Sequence, residues 1–332
     1  MIITRTPFRI SFFGGGTDYP VWYRDHGGAV LSTTINKYCY INCRYLPPFF
    51  PYKYLMRYII REETSCIEDI KHPSVRACLQ YLNISKGVEM TYTGDVPAQS
   101  GMGSSSAFTV SFLNALYALT GKIVTKRTLA REALYVECEL LKENVGSQDQ
   151  VAAAFGGFNK IEFSGDREFY VTPLPLGAVK LKLLESHLML FFTGISRNAS
   201  EIAVEQIKKT SSKKIELRTM SVMVDEAITI LNRESDDFDD FGRLLNETWK
   251  IKRSITELIS NSIIDDLYET ALKAGALGGK LLGAGGGGFL LLYAKPEKQP
   301  LIKEKLKNIL YVPFAFESLG TQVLMYTTQD YY

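Results

Sequence analysis

Pro97-Ala-Gln-Ser-Gly101-Met102-Gly103-Ser104-Ser105-Ser106-Ala107 is the stretch on which the reading of this chain turns. It lies between a strand-like run, Val88–Thr93, and a helical one, Ser104–Thr120. In the latter, Ala107, Val110, Leu113, Ala115, Leu116 and Leu119 recur at helical spacing. Gly101 and Gly103 let backbone approach a ligand with no Cβ in the way. The helix then opens with unpaired N–H groups and the positive end of its dipole. Three serine hydroxyls sit at the same end. Such an arrangement suits phosphate. It is neither the P-loop, since no lysine follows Gly103, nor the dinucleotide GxGxxG. Taken alone it also fits a glycine turn before a serine-capped helix.

The rest of the composition bounds the answer. The chain has 332 residues, enough for about two domains. Its 38 basic and 36 acidic residues leave a net charge of +2, and nothing global points to nucleic acid or an anionic membrane. Five cysteines without a CxxC pair argue against a disulfide framework and fit a reducing cytoplasm. Three scattered histidines argue against zinc. No leader or membrane span is read from the sequence. Of 26 glycines, eight fall between Gly275 and Gly288. That cluster, Lys280-Leu-Leu-Gly283-Ala-Gly285-Gly286-Gly287-Gly288-Phe289, precedes a buried strand and is a second place where backbone passes close to another segment.

Three acids are candidates for chemistry. Asp149, in Gly146-Ser-Gln-Asp149-Gln150, is followed by Val-Ala-Ala-Ala-Phe, so it faces an apolar region and needs a partner or a task. In phosphoryl transfer the task is to orient a hydroxyl and accept its proton. Arg9, on the first strand, is its candidate partner, while a helix cap is the plainer alternative. Glu137 sits twelve residues earlier on an apolar-lined helix. With a loop serine it would supply the one or two protein oxygens that Mg²⁺ takes; Glu139 competes for the role. Asp18, after Gly15-Gly16-Thr17, is placed to accept hydrogen bonds from a polyol, or to serve as a turn residue.

Together and in this order, these motifs resemble the GHMP small-molecule kinase superfamily. Its three signatures map onto Arg5–Tyr19, Pro97–Ala107 and Leu281–Phe289. Within it the chain is most similar to the D-glycero-D-manno-heptose 7-phosphate kinases, on Arg5–Tyr19, Gly146–Gln150 and Phe192-Thr-Gly-Ile-Ser-Arg197. The resemblance implies an α+β, two-domain fold. Residues 1–185 would form a domain like domain 2 of ribosomal protein S5, and residues 186–332 a ferredoxin-like domain. It implies ATP at Pro97, Gly101, Met102, Gly103 and Ser104–Ser106, with Gly285 and Gly286 contributing. It implies Asp149 as base with Arg9 beside it, and Gly15, Gly16, Thr17, Asp18, Gly146 and Arg197 at the sugar phosphate. Mg²⁺ would be held by Ser104 and Glu137. The implied reaction phosphorylates the anomeric hydroxyl of the heptose 7-phosphate to give the 1,7-bisphosphate, for nucleotide-activated heptose. The partner would be a small molecule rather than nucleic acid or membrane. Met102 and Ser106 stand where the family usually has Leu and Ala, and Ser106 leaves the magnesium serine open. The alternatives are a galactokinase- or fucokinase-like sugar 1-kinase, or a nucleotide sensor or nucleic-acid binder without turnover.

A 7-phosphate needs cations. Arg197 is one candidate. The segment 44–61 is the other, with Arg44, Lys53, Arg57 and Arg61 among six aromatic residues. The plain reading of that segment is an edge hairpin. Elsewhere the periodicity predicts a first strand over Ile2–Phe13, a helix over Ser65–Asn83 and another over Lys126–Glu143. From Asn198 it predicts long polar helices, Phe238–Ile259 among them.

Overall fold

A computed structural model describes residues 1–195, 199–235 and 237–327. The chain folds as α+β around two sheets. The larger has nine strands: β1 (Ile2–Phe13), β2 (Gly28–Tyr45), β3 (Tyr54–Arg57), β4 (Arg61–Thr64), β5 (Val88–Gly94), β6 (Phe158–Ser164), β7 (Glu168–Pro173) and, from the far end of the chain, β12 (Phe316–Glu317) and β13 (Gln322–Tyr326). The smaller has four antiparallel strands in the order β11 (Leu310–Tyr311), β8 (Leu188–Phe192), β10 (Phe289–Tyr293), β9 (Gly278–Leu281).

The helices are α1 (Pro20–His26), α2 (Pro73–Tyr81), α3 (Ser104–Leu119), α4 (Lys126–Tyr135), α5 (Gln148–Phe155) and α6 (Ala178–Ser186) in the first half. In the second they are α7 (Ala199–Lys209), α8 (Lys214–Leu231), α9 (Asp239–Arg253), α10 (Ser262–Lys273) and α11 (Gln299–Lys305). The larger sheet draws its strands from both ends of the chain, since β12 pairs with β2 and β13 with β1, while the strands of the smaller sheet lie between Leu188 and Tyr311.

β1 explains how the halves are joined. Its burial alternates over Ile2–Arg5, as for a strand covered on one face, then becomes continuous from Thr6 to Phe13. There both faces are covered. Phe12 and Phe13 meet Phe241 of α9 edge-on, with ring centroids 5.5 and 5.1 Å apart. β2 is long enough to serve two partners on its other side, β6 along Gly28–Thr33 and β5 along Cys39–Tyr45.

Two elements differ from the sequence reading. The helix predicted over Ser65–Asn83 begins only at Pro73. A proline belongs at a helix start, where its missing N–H costs nothing, and His72 caps the turn through Nδ1, which accepts from the Val75 amide at 3.4 Å. The helix predicted over Lys126–Glu143 leaves α-geometry after Tyr135 and continues as a wide π-turn, Val136–Leu140, that contains Glu137. The segment 44–61 is the hairpin of the plainer reading, with β4 at the sheet edge. Arg44 and Arg57 share Glu89, and Arg61 pairs with Glu63.

The halves also touch backbone to backbone through their glycine loops. Gly101 (φ +82°) and Gly283 (φ +72°) face each other, and a Cβ on Gly283 would lie 2.5 Å from the Gly101 Cα. A Cβ on Gly288 would lie 2.2 Å from the Ser100 carbonyl oxygen. Neither neighbour is a side chain able to move aside. Gly283→Ala is therefore expected to cost about 2–4 kcal/mol in urea unfolding. Gly121→Ala, at a similar φ of +71° but in open space, should cost only ~1 kcal/mol. Equal losses would show that backbone conformation, not the loop contact, sets the requirement for glycine.

Candidate active site

α3 begins at Gly103, whose left-handed backbone (φ +74°) turns the chain into the helix with no side-chain cap. Its first turn, Ser104–Ser106, therefore opens into a cleft of about 510 Å³ between the two halves. Gly101 and Gly103 line that cleft as well.

Opposite the helix start lie the acids. Asp149 is the second residue of α5, past the cap position that Ser147 occupies. Its carboxylate is held at both oxygens by Arg9, with Nε donating to Oδ1 at 2.7 Å and Nη2 to Oδ2 at 2.9 Å. Arg9 is 4% exposed. Its third donor, Nη1, reaches the Gly101 carbonyl at 2.8 Å. One guanidinium thus ties the acid to the phosphate loop, as a planar fork does and an ammonium cannot. A Cβ on Gly103 would sit 3.1 Å from Asp149 Oδ2, so the carboxylate lies against the loop itself. The alternative of Asp149 as a helix cap is not realised.

Asp18 is buried and accepts from the Gly16 amide at 2.8 Å and from Gln148 Nε2 at 2.9 Å. Burial pushes its carboxyl above the usual range. The Gly16 hydrogen bond opposes this, and the charge of Asp149 adds to it. Burial, and then Asp18, also raise the Tyr19 phenol. Gly146 has no room for a side chain, because a Cβ there would lie 2.0 Å from Asp18 Oδ2. Gly15, Gly16 and Gly146 line the cleft with Asp18.

Glu137 is fully buried behind Ser106. Its Oε2 accepts from Ser106 Oγ at 2.8 Å and Gln150 Nε2 at 2.5 Å, while Oε1 has no partner. Burial pushes its carboxyl up to about 7. Glu137 itself is not among the residues that line the cleft; its orphaned oxygen beside the hydroxyl of Ser106, which is, fits a hard cation that takes one or two protein oxygens. The hydroxyl that reaches Glu137 is that of Ser106, whereas Ser104 Oγ accepts the Gln99 amide at 3.2 Å. Among the described residues no cluster of three His, Cys, Asp or Glu could hold a metal.

Several expected residues do not line the cleft. Thr17 is buried, and its hydroxyl donates to the Gly14 and Ala29 carbonyls at 2.8 and 2.9 Å, fixing the turn that presents Asp18. Met102 is buried and meets Arg9 only through its carbonyl, which accepts the Arg9 amide at 3.2 Å. Pro97 is exposed beyond the cleft rim, where Ala98 and Gln99 take its place. Gly285 and Gly286 pack under Ile259: the Gly286 amide donates to the Ile259 carbonyl at 2.8 Å, and Gly283 and Ala284 line the cleft instead. Arg197 lies outside the described residues.

Sequence reasoning missed Lys252 and Lys280, which reach the cleft from α9 and β9. Lys252 continues the buried stripe Phe241, Leu245, Thr248 of α9, so a lysine on an apolar face was the available signal. It also missed Gln148 and an aromatic wall past Ser106. There His72 stacks on Phe108 with centroids 4.8 Å apart, and Tyr58 meets His72 edge-on at 4.8 Å.

Comparison with known proteins identifies the family. The family model for the GHMP kinase N-terminal domain matches residues 70–157, and that for the C-terminal domain matches residues 227–312. The D-glycero-α-D-manno-heptose 7-phosphate kinase of Campylobacter jejuni is 31% identical over 97% of this chain and 98% of its own length. The chain belongs to the GHMP kinase family. The relative it matches along almost its whole length is a sugar-phosphate kinase of that family. A bifunctional fucokinase/GDP-fucose pyrophosphorylase of Arabidopsis thaliana is 25% identical over 91% of the chain but only 31% of that longer protein. Among solved structures, a D-glycero-D-manno-heptose 1-phosphate kinase from Bacteroides thetaiotaomicron superposes with a TM-score of 0.79 at 24% identity. That match covers 99% of this chain and all of the other. Lactococcus lactis galactokinase complexed with galactose gives 0.73 at 19%, covering 97% of this chain and 95% of that one. These two share the fold.

In this GHMP kinase Asp18 is packed against Gly146, and only a glycine there leaves room for it. Gly146→Ala should displace Asp18 and raise the KM for the acceptor about tenfold, a loss of ~1.4 kcal/mol of binding. The KM for the nucleotide should hardly change. A matched rise in both would place Asp18 outside acceptor recognition.

Proposed function

We propose that this protein transfers the γ-phosphoryl group of ATP to the anomeric hydroxyl of D-glycero-D-manno-heptose 7-phosphate, giving the 1,7-bisphosphate. The observation that carries the reading is the placement of Asp149. Its carboxylate lies against Gly103 of the phosphate loop and is clamped by Arg9. The likeness to a heptose 7-phosphate kinase along almost the whole of both chains supports the choice of acceptor.

The parts divide the work. The N-terminus of α3 binds donor phosphates through its first-turn amides and serine hydroxyls. The aromatic wall of Tyr58, His72 and Phe108 lies on one side of that terminus and takes the base. Asp18, which lines the same cleft, orients sugar hydroxyls. Asp149 aligns the anomeric hydroxyl and accepts its proton, while Arg9 keeps the carboxylate in place and offsets its charge. Glu137 and Ser106, with Ser104 nearby, would hold Mg²⁺, which supplies neutralisation of the donor phosphates when bound. Little covalent chemistry is asked of the protein; positioning and fixed charge supply most of the rate.

Two measurements test this. Asp149→Asn should retain ATP binding and lose about 10²–10⁴ in kcat; a near-normal rate would remove Asp149 as the base. In steady-state comparison, heptose 7-phosphate should be preferred in kcat/KM over unphosphorylated heptose, galactose and fucose. Preference for an unphosphorylated sugar would reassign the protein to a galactokinase- or fucokinase-like role. ATP turnover with none of them would favour a different acceptor class.

A further inference from the structure

Two buried lysines with no part in that division of work line the cleft. Lys252 is 4% exposed and Lys280 1%. Each donates one hydrogen bond, and in both cases to a carbonyl: Lys252 Nζ to Gly283, and Lys280 Nζ to Phe12 at 2.9 Å. Among the described residues neither forms an ion pair with a carboxylate. The nearby Asp149 is already held at both oxygens by Arg9. Asp18 already accepts from Gly16 and Gln148.

Burying an ammonium without a counter-charge costs several kcal/mol, and two side by side repel. A fold accumulates that cost where an anion is to be received. The position of Lys252 indicates which anion. Gly283, whose carbonyl holds it, is in backbone contact with Gly101, whose carbonyl holds Arg9. Lys252 and Arg9 therefore hang from two touching glycines, beside Asp149, which Arg9 also holds.

We propose that Lys252 and Lys280 form the subsite for the terminal phosphate of the nucleotide, so that the second half of the chain supplies the charge that faces the α3 N-terminus across the group being transferred. This rests on the kinase reading above. It gives each half of the protein a share of one anion, and it gives the glycine contact a reason to be close.

The charged groups facing Lys252 are Arg9 of β1, Asp18 of the following turn, Asp149 of α5 and Lys280 of β9. Burial draws the Lys252 ammonium down to about 8, opposed by Asp18. Raising the pH through that value should discharge it and weaken triphosphate binding.

The test is calorimetric and needs no turnover, so it stands even if the sugar acceptor is misassigned. AMPPNP, which keeps a terminal phosphate, and ADP, which lacks it, are titrated into wild type, K252M, K280M and K252Q. K252Q retains a donor for the Gly283 carbonyl should the methionine variant fold poorly. The subsite predicts that AMPPNP binding weakens about tenfold or more, the scale of a charge-assisted hydrogen bond, while ADP binding changes little. It also predicts that the unliganded variants melt no lower than wild type, because a buried uncompensated charge has been removed. Wild type should lose AMPPNP affinity as pH rises through about 8, and K252M should lack that step. Equal weakening of AMPPNP and ADP, unchanged AMPPNP binding, or a lowered melting temperature with both ligands affected would each overturn the assignment. Failure of wild type to phosphorylate any sugar would overturn the kinase reading alone.

Discussion

The contact between Gly101 and Gly283 sets the geometry of everything that acts in this protein. Two loops from opposite halves meet with no side chain between them, and a single added Cβ would have to displace backbone. Each loop has a second duty at the same residue. The Gly101 carbonyl anchors Arg9, and the Gly283 carbonyl anchors Lys252. Charges from both halves are thereby brought to one place without forming ion pairs across the cleft. The aromatic junction of Phe12, Phe13 and Phe241 nearby fixes the angle at which the halves meet, and burial of such rings gives the junction its stability.

Much of this was legible in the residues. The phosphate loop, Arg9, Asp18 and Asp149 declare themselves because their chemistry is local: a glycine turn before a helix, a carboxylate before an alanine run, an arginine on a strand that enters glycines. The ends of β1 and α3 follow from hydrophobic period and a glycine stop. What could not be read is what depends on the other half of the chain. The four glycines before Phe289 promised a close approach, but not to what. Gly285 and Gly286 turned out to lie under Ile259, leaving Gly283 and Ala284 at the cleft. Lys252 sits in a helix of ordinary amphipathic pattern and becomes a site residue only once α9 is docked. The π-turn that carries Glu137 inward has no sequence signature that distinguishes it from continuing helix. The basic segment 44–61 illustrates the converse: nothing in its own residues told that Arg44 and Arg57 share Glu89 and that Arg61 pairs with Glu63 at a sheet edge.

The near-neutral net charge of +2 acquires a meaning here. There is no broad basic field to attract a polyanion. On the proposed function, affinity for a phosphorylated donor and acceptor comes from a few buried groups, where each fixed charge counts for more than it would at the surface. Arg9, Lys252, Lys280 and the α3 N-terminus are those groups on the positive side. Asp149 and Asp18 lie among them, each already accepting hydrogen bonds from other groups.

The central claim is a phosphoryl transfer to one particular oxygen, and the product reports on it directly. Phosphorus NMR of a reaction mixture of the enzyme, ATP and D-glycero-D-manno-heptose 7-phosphate should show one new sugar-phosphate resonance, split by the anomeric proton. It should grow in step with ADP while the 7-phosphate signal persists. A new phosphate on any other carbon, or ADP and inorganic phosphate with no new sugar ester, would contradict the account.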